Sequence, residues 1–176
     1  MANNQLEWLK AASGDVKVFR AMVVGAQTVL ATLNETVLRF NLHYFALTDN
    51  QHREMKVIAA KQAVVASLRE LRLMLDDWNK KLLDMGALSQ KTIDLRRQHR
   101  QLLDRIHKFK EVRNCAFHFG DPVEAPDKLV ELYEYVDGLD LDDLNEMLRA
   151  LNGLVLQMRE DAYLAAERLE KQQSGS

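Results

Sequence analysis

Val64, Leu68, Leu71, Leu75, Trp78 and Leu82 follow one another at alternating steps of four and three. That spacing keeps apolar side chains on one face of a helix, whereas a strand would scatter them over both of its faces. A second seam repeats the rhythm near the end of the chain, through Leu144, Leu148, Leu151, Val155, Met158, Ala162, Ala165 and Leu169. A helix with one long apolar stripe needs partners to bury it, so the two seams already call for helices packed on helices. Breakers are scarce: Pro122 and Pro126 are the two prolines, and glycine occurs seven times in 176 residues. With 47% hydrophobic and 28% charged residues, the chain reads as all-α.

Punctuation divides the helices. Gln5–Ala12 reads as a short helix, ended at "SGD", where Asp15 is placed to cap the next. That next helix runs from Val16 to about Leu47, with Val18, Met22, Val29, Leu33, Val37 and Phe40 among its apolar positions. Thr48 or Asp49 is the expected N-cap of the helix carrying the first seam, and Gly86 its C-cap. A third long helix is expected from about Gln90 to Phe117. The loop "GDPVEAPDK", a short helix over Lys128–Val136 and a last helix capped by Asp140 complete the chain. The expected fold is an antiparallel helical bundle of four long helices plus short ones. It forms a single domain over residues 1–176, with 1–14 an N-terminal arm or short helix and 171–176 a frayed tail.

The formal net charge of -2 conceals a division. Residues 1–118 carry 19 Lys and Arg against 12 Asp and Glu, whereas residues 119–176 carry 5 against 14. The basic excess concentrates around Arg96, Arg97, Arg100, Arg105, Lys108 and Lys110, the expected RNA-binding side chains if the partner is a polyanion. The competing reading pairs the basic and acidic helices with each other. Cys115 is the single cysteine, which excludes an internal disulfide and points to a reducing compartment. The longest uncharged run of the first long helix, Ala21–Asn34, is 14 residues and too short to span a bilayer. "MANNQLEWLK" has no basic region followed by an apolar stretch, so no signal peptide and no membrane association are expected, and the location is cytoplasmic.

The stretch "EVRNCAFHFGDP" places Arg113, Asn114 and His118 where the third long helix ends. Continuing that helix's seam through Leu95, His99, Leu102, Ile106 and Phe109 brings Arg113 into the apolar stripe. An unpaired guanidinium buried there costs on the order of several kcal/mol. It therefore calls for an internal carboxylate, a wet cleft or a subunit interface. On a continuing helix His118 would stand about 140° round from Arg113. Fraying at Gly120 and Pro122 would let the imidazole swing towards it. A guanidinium to hold a phosphate, an imidazole to move a proton and an amide to orient either suit phosphodiester chemistry.

Arg113, Asn114 and His118, with four residues between the Arg and the His, resemble the motif of the HEPN superfamily: an Arg, four to six residues and a His, often with Asn after the Arg. The resemblance also covers the all-helical architecture. It implies a homodimer whose two motifs face each other across a cleft and a metal-independent endoribonuclease that leaves a cyclic phosphate and a free 5′-hydroxyl. His118 would act on the attacking 2′-hydroxyl, Arg113 would hold the phosphate and Asn114 would orient them. It further implies a toxin or anti-phage defence effector, with an antitoxin or regulatory protein as a possible partner. Gly120 stands where toxins paired with a nucleotidyltransferase antitoxin often place a Tyr. The alternatives are a catalytically silent module binding RNA or nucleotide, and a structural protein-interaction bundle in which Arg113 sits in an ion pair.

No cofactor and no metal are expected. Asp104 and His107 share a helix face, yet a di-iron bundle would need a second such pair and bridging Glu residues. "DGLDLDD" lacks the Gly and Glu of a calcium loop and reads as a helix cap. Cys115 reads as a small core residue, His99 as a core histidine, His107 as exposed, and Phe40, Tyr44 and Phe45 as core or dimer contacts.

Overall fold

The computed structural model describes residues 2–46, 53–109, 130 and 134–174. Every regular element among them is helical, so the all-α class stands. The helices are α1 (Ala2–Lys10), α2 (Gly14–Ala46), α3 (Arg53–Asp84), α4 (Gln90–Gln98), α5 (Arg100–His107) and α6 (Leu141–Ser174). Residues 134–137 add a helical turn, and Val130 is helical too, so the short helix expected over Lys128–Val136 is described only in part. Thr48 and Asp49 lie outside the described residues.

Local chemistry accounts for the ends. At the close of α3, Gly86 takes φ +63 and its N–H bonds the Leu83 carbonyl, while the Ala87 N–H bonds the Leu82 carbonyl. That is the paired bonding of a glycine-terminated helix, and only glycine takes the left-handed φ without a steric cost. Ser89 starts α4 as its N-cap, its hydroxyl accepting the Thr92 N–H at 3.2 Å. Asp140 starts α6, its carboxylate accepting the Asp142 N–H at 3.3 Å. Asp15, expected as a cap, instead lies inside the first turn of α2, where a carboxylate favours the positive end of the helix dipole.

As far as Phe109, the last described residue there, the third long helix expected from Gln90 is two helices. His99 has φ -96 and ψ 13 and closes α4, and α5 begins at Arg100. Backbone near ψ 0 turns the carbonyl off the helix axis, yet Ile106 and Phe109, both on the expected seam, are buried beyond it. Beyond the break the buried positions are Leu103 and Ile106, followed by Phe109. α5 itself ends in tight i→i+3 bonding, the Lys108 N–H on the Arg105 carbonyl and the Phe109 N–H on the Ile106 carbonyl.

The chain clusters into two compact units. The first comprises residues 1–31, 74–99 and 152–176. Its buried side chains include Val16, Phe19, Met22, Val23 and Ala26 of α2, Leu75 and Leu82 of α3, and Leu154, Val155, Met158 and Ala162 of α6. Polar contacts join its helices in a circuit. Arg20 lies over the Trp8 ring of α1 at 4.6 Å, donates to the Trp8 carbonyl, and pairs with Glu170 of α6 at 2.9 Å. Arg96 of α4 pairs with Asp76 of α3 at 2.7 Å. Between α2 and α3 the backbone of Gly25 comes so near the Trp78 ring that a Cβ would stand 3.3 Å from it. The α6 seam is buried nearly as spaced, and in the α3 seam Leu71 and Trp78 are only half-buried.

The second unit comprises residues 32–73 and 100–151. Val64, Val65, Ala66 and Leu68 of α3, Leu103 and Ile106 of α5, and Leu144, Met147, Leu148 and Leu151 of α6 are buried in it, with Val136 and Leu139 from the segment before α6.

Asp161 closes the circuit of the first unit. Its carboxylate is 3% exposed, accepts the Ser89 N–H at 3.0 Å and the Thr92 hydroxyl at 2.6 Å on one oxygen, and the Gln157 amide at 3.2 Å on the other. Replacing it strands two buried donors at the head of α4. Asp161→Ala is expected to lower stability by about 3 kcal/mol, and Thr92→Val by about 1 kcal/mol, in urea unfolding. Equal and negligible losses would show that the α4 start is held by other contacts.

Candidate functional site

The six expected RNA-binding cations divide between α4, α5 and the residues after α5. On α4, Arg96 is half-buried and tied to Asp76, whereas Arg97 is exposed with Asp94 at 3.7 Å one turn before it. On α5, Arg100 is exposed with Asp104 at 3.9 Å, and Arg105 is tied to Asp143 of α6 through two bonds of 2.7 and 3.3 Å. Lys108 is exposed, and Lys110 lies outside the described residues. Exposed i,i+3 and i,i+4 pairs hold their partners weakly, so Arg97, Arg100 and Lys108 keep most of their charge for a ligand. Arg96 and Arg105 are committed to carboxylates of the same chain. To that extent the basic and acidic parts of the sequence do meet each other.

The Arg105–Asp143 pair has company. Tyr135 packs edge-on against Phe109, with ring centroids 6.1 Å apart and planes inclined by 60°. Its hydroxyl pKa is raised, first by burial and against the pull of Arg105, and the Arg105 guanidinium is held protonated by its hydrogen bonds to Asp143. The Asp143 carboxyl is lowered by the same hydrogen bonds. Three groups with shifted ionisation in one place would suit a site. Here each is explained by its neighbour, and the cluster acts as a clamp between α5 and α6.

Arg113, Asn114 and His118, the expected catalytic trio, lie outside the described residues, as does Cys115. The helical register that brought Arg113 into an apolar stripe presumed one helix from Gln90 onwards. α4 closes at His99 and α5 ends at His107, and the described stretch stops at Phe109, short of the trio. His107 is exposed, and Asp104 faces Arg100 on the surface. Among the described residues no group of three or more His, Cys, Asp or Glu side chains is placed to hold a metal ion.

One set of residues was missed from the sequence. Lys61, Arg69 and Arg72 of α3 are all buried, at 8%, 5% and 9% exposure. Lys61 donates to the Asp137 carbonyl and stands 3.9 Å from its carboxylate. The Nε and Nη1 of Arg69 have no hydrogen-bond partner among the described residues. For two of them the signal was present in the spacing: Lys61, Val65, Leu68 and Arg72 form a stripe that meets the apolar seam at Leu68.

Gly14–Glu35 of α2 is long and apolar enough to cross a membrane by length and composition. The uncharged run Ala21–Asn34 is only part of it. Val16, Phe19, Met22, Val23 and Ala26 of that stretch are buried in the first unit, and Arg20 is paired there. Comparison with protein-family models, curated proteins and solved structures finds no match to this chain.

The clamp has a pH signature. A carboxyl whose folded pKa lies below its unfolded value stabilises the fold at pH above the unfolded value, and that contribution is lost as pH falls through the lowered folded one. The carboxyl carbon of Asp143, followed by NMR, is expected to titrate below the usual aspartate range and to move back towards it in Arg105→Gln. An unchanged midpoint in that variant would remove Arg105 as the cause.

Proposed function

We propose that this chain is a HEPN-like, metal-independent endoribonuclease acting as a homodimer. The observation that carries the reading is Arg113–Asn114 followed at the motif spacing by His118 in a chain whose described regular elements are all helices. His118 is the acid/base on the 2′-hydroxyl, Arg113 holds the scissile phosphate and Asn114 orients the pair. Arg97, Arg100 and Lys108, exposed and only weakly paired, are the described cations available to an RNA backbone. The four long helices of an antiparallel bundle, a cytoplasmic location, a role as toxin or anti-phage effector and a neutralising protein partner belong to the same proposal. α2 is read within it as a core helix rather than a span.

The pairing of Arg96 with Asp76 and Arg105 with Asp143 favours a second reading. Two of the expected phosphate contacts serve the fold, as in a silent HEPN-like module that binds RNA or nucleotide, or in a structural bundle.

Incubation of RNA with the protein in EDTA separates these. The enzyme is expected to produce cyclic phosphate ends, with His118→Ala slowing cleavage by about 10²–10⁴-fold and Arg113→Ala by about 10²-fold or more. Light scattering is expected to show a dimer. No cleavage of tRNA, rRNA or mRNA pools by a folded dimer would leave the binding module, and loss of stability in Arg113→Ala would leave the structural bundle.

A further inference from the structure

We propose that Arg69 anchors an oxyanion site in the second unit, and that its ligand is a phosphate group. α3 turns a wide arc inward around this residue: Val65, Ala66 and Leu68 are all fully buried, and Arg69 itself is 5% exposed. A buried lysine or histidine escapes the cost of burial by shedding its proton. A guanidinium does not, because its pKa lies far above any working pH. It stays charged and needs acceptors, yet its Nε and Nη1 have none among the described residues. Ion pairs described in this unit include Lys61 with Asp137, Arg100 with Asp104 and Arg105 with Asp143. None of these carboxylates serves Arg69.

The surroundings say which anion fits. Lys61 and Arg72 stand within about 20° of each other around α3, and Arg69 about 60° from Arg72. Three cations therefore share the inward arc, all buried. Lys61 is held by Asp137 about 12 Å along the helix from Arg69, so Arg69 itself carries the site, and the array of N–H donors on its guanidinium matches the oxygens of a phosphate. Because the idle donors are out of reach of solvent, a bound phosphate would be enclosed by the unit. Its binding is then saturable, unlike screening at the surface. The site is argued without the ribonuclease reading, whose trio lies elsewhere in the sequence, and it stands or falls by binding rather than by turnover.

The test uses the whole chain, with inorganic phosphate as the probe and chloride at matched ionic strength as the reference. Thermal unfolding of the wild type is expected to rise by about 5 °C at a phosphate concentration 100 times Kd. Arg69→Met is expected to lose that response while melting no lower than the wild type in phosphate-free buffer, since it removes an uncompensated charge. Isothermal titration of the wild type with phosphate gives a reading independent of whether the variant folds. The same titrations with AMP and with a short oligoribonucleotide identify the source: binding tighter than inorganic phosphate assigns the group to a nucleotide or to RNA, and equal or weaker binding assigns it to free phosphate. Absence of saturable binding of all three by the wild type overturns the proposal. So does an equal response in wild type and Arg69→Met, or a melting point of Arg69→Met well below that of the wild type without phosphate, which would reveal a carboxylate partner within the chain.

Discussion

A single buried carboxylate sets where the basic helix α4 begins. Asp161 is buried on α6 and takes three hydrogen bonds: one from the backbone of the α4 N-cap, one from Thr92 and one from Gln157 on its own helix. A carboxylate in such a place is tolerable only when its oxygens are satisfied. That requirement is directional in a way that apolar burial is not. Leucines in a seam can slide by a turn at modest cost, whereas Ser89, Thr92 and Asp161 must meet at hydrogen-bond distance. The contact thus fixes the start of α4 on α6, and with it the positions of Arg96 and Arg97.

Charge then does in each unit what the apolar seams leave undone. In the first, Arg20 reaches Trp8 and Glu170, and Arg96 reaches Asp76. In the second, Lys61 reaches Asp137 and Arg105 reaches Asp143. Most of these pairs are half-buried, where electrostatic attraction is less screened than at the surface and each broken pair leaves a partner to desolvate alone. The balance between a basic first part and an acidic last part is therefore in part an internal one. Arg97, Arg100 and Lys108 are the described members of the basic group left facing water.

Much of the secondary structure was legible. The Gly86 ending, the Asp140 start and the α6 seam follow from local rules of glycine, side-chain capping and helical period, and the structure has all three. The interruption at His99 was not legible, because Leu95, His99, Leu102 and Ile106 keep an acceptable helical spacing across it and no breaker marks the place. Beyond the break Ile106 and Phe109 of the expected seam are buried, and Arg113 lies outside the described residues. The motif of Arg113, Asn114 and His118 remains a reading of the sequence, drawn from residue types and their spacing.

The sequence by itself determined the class of the fold and the seam that α6 buries, since period, propensity and capping act over a few residues. Only the tertiary structure decided which charges were spent. Arg96 and Arg97 are adjacent in sequence and alike in chemistry, yet one is tied to Asp76 across a helix pair and the other faces solvent. Arg69 and Arg72, charged residues on a charged helix, are turned inward by α3. Whether a charge is available to a ligand depends on what lies beside it in space, and that neighbour comes from a distant part of the chain.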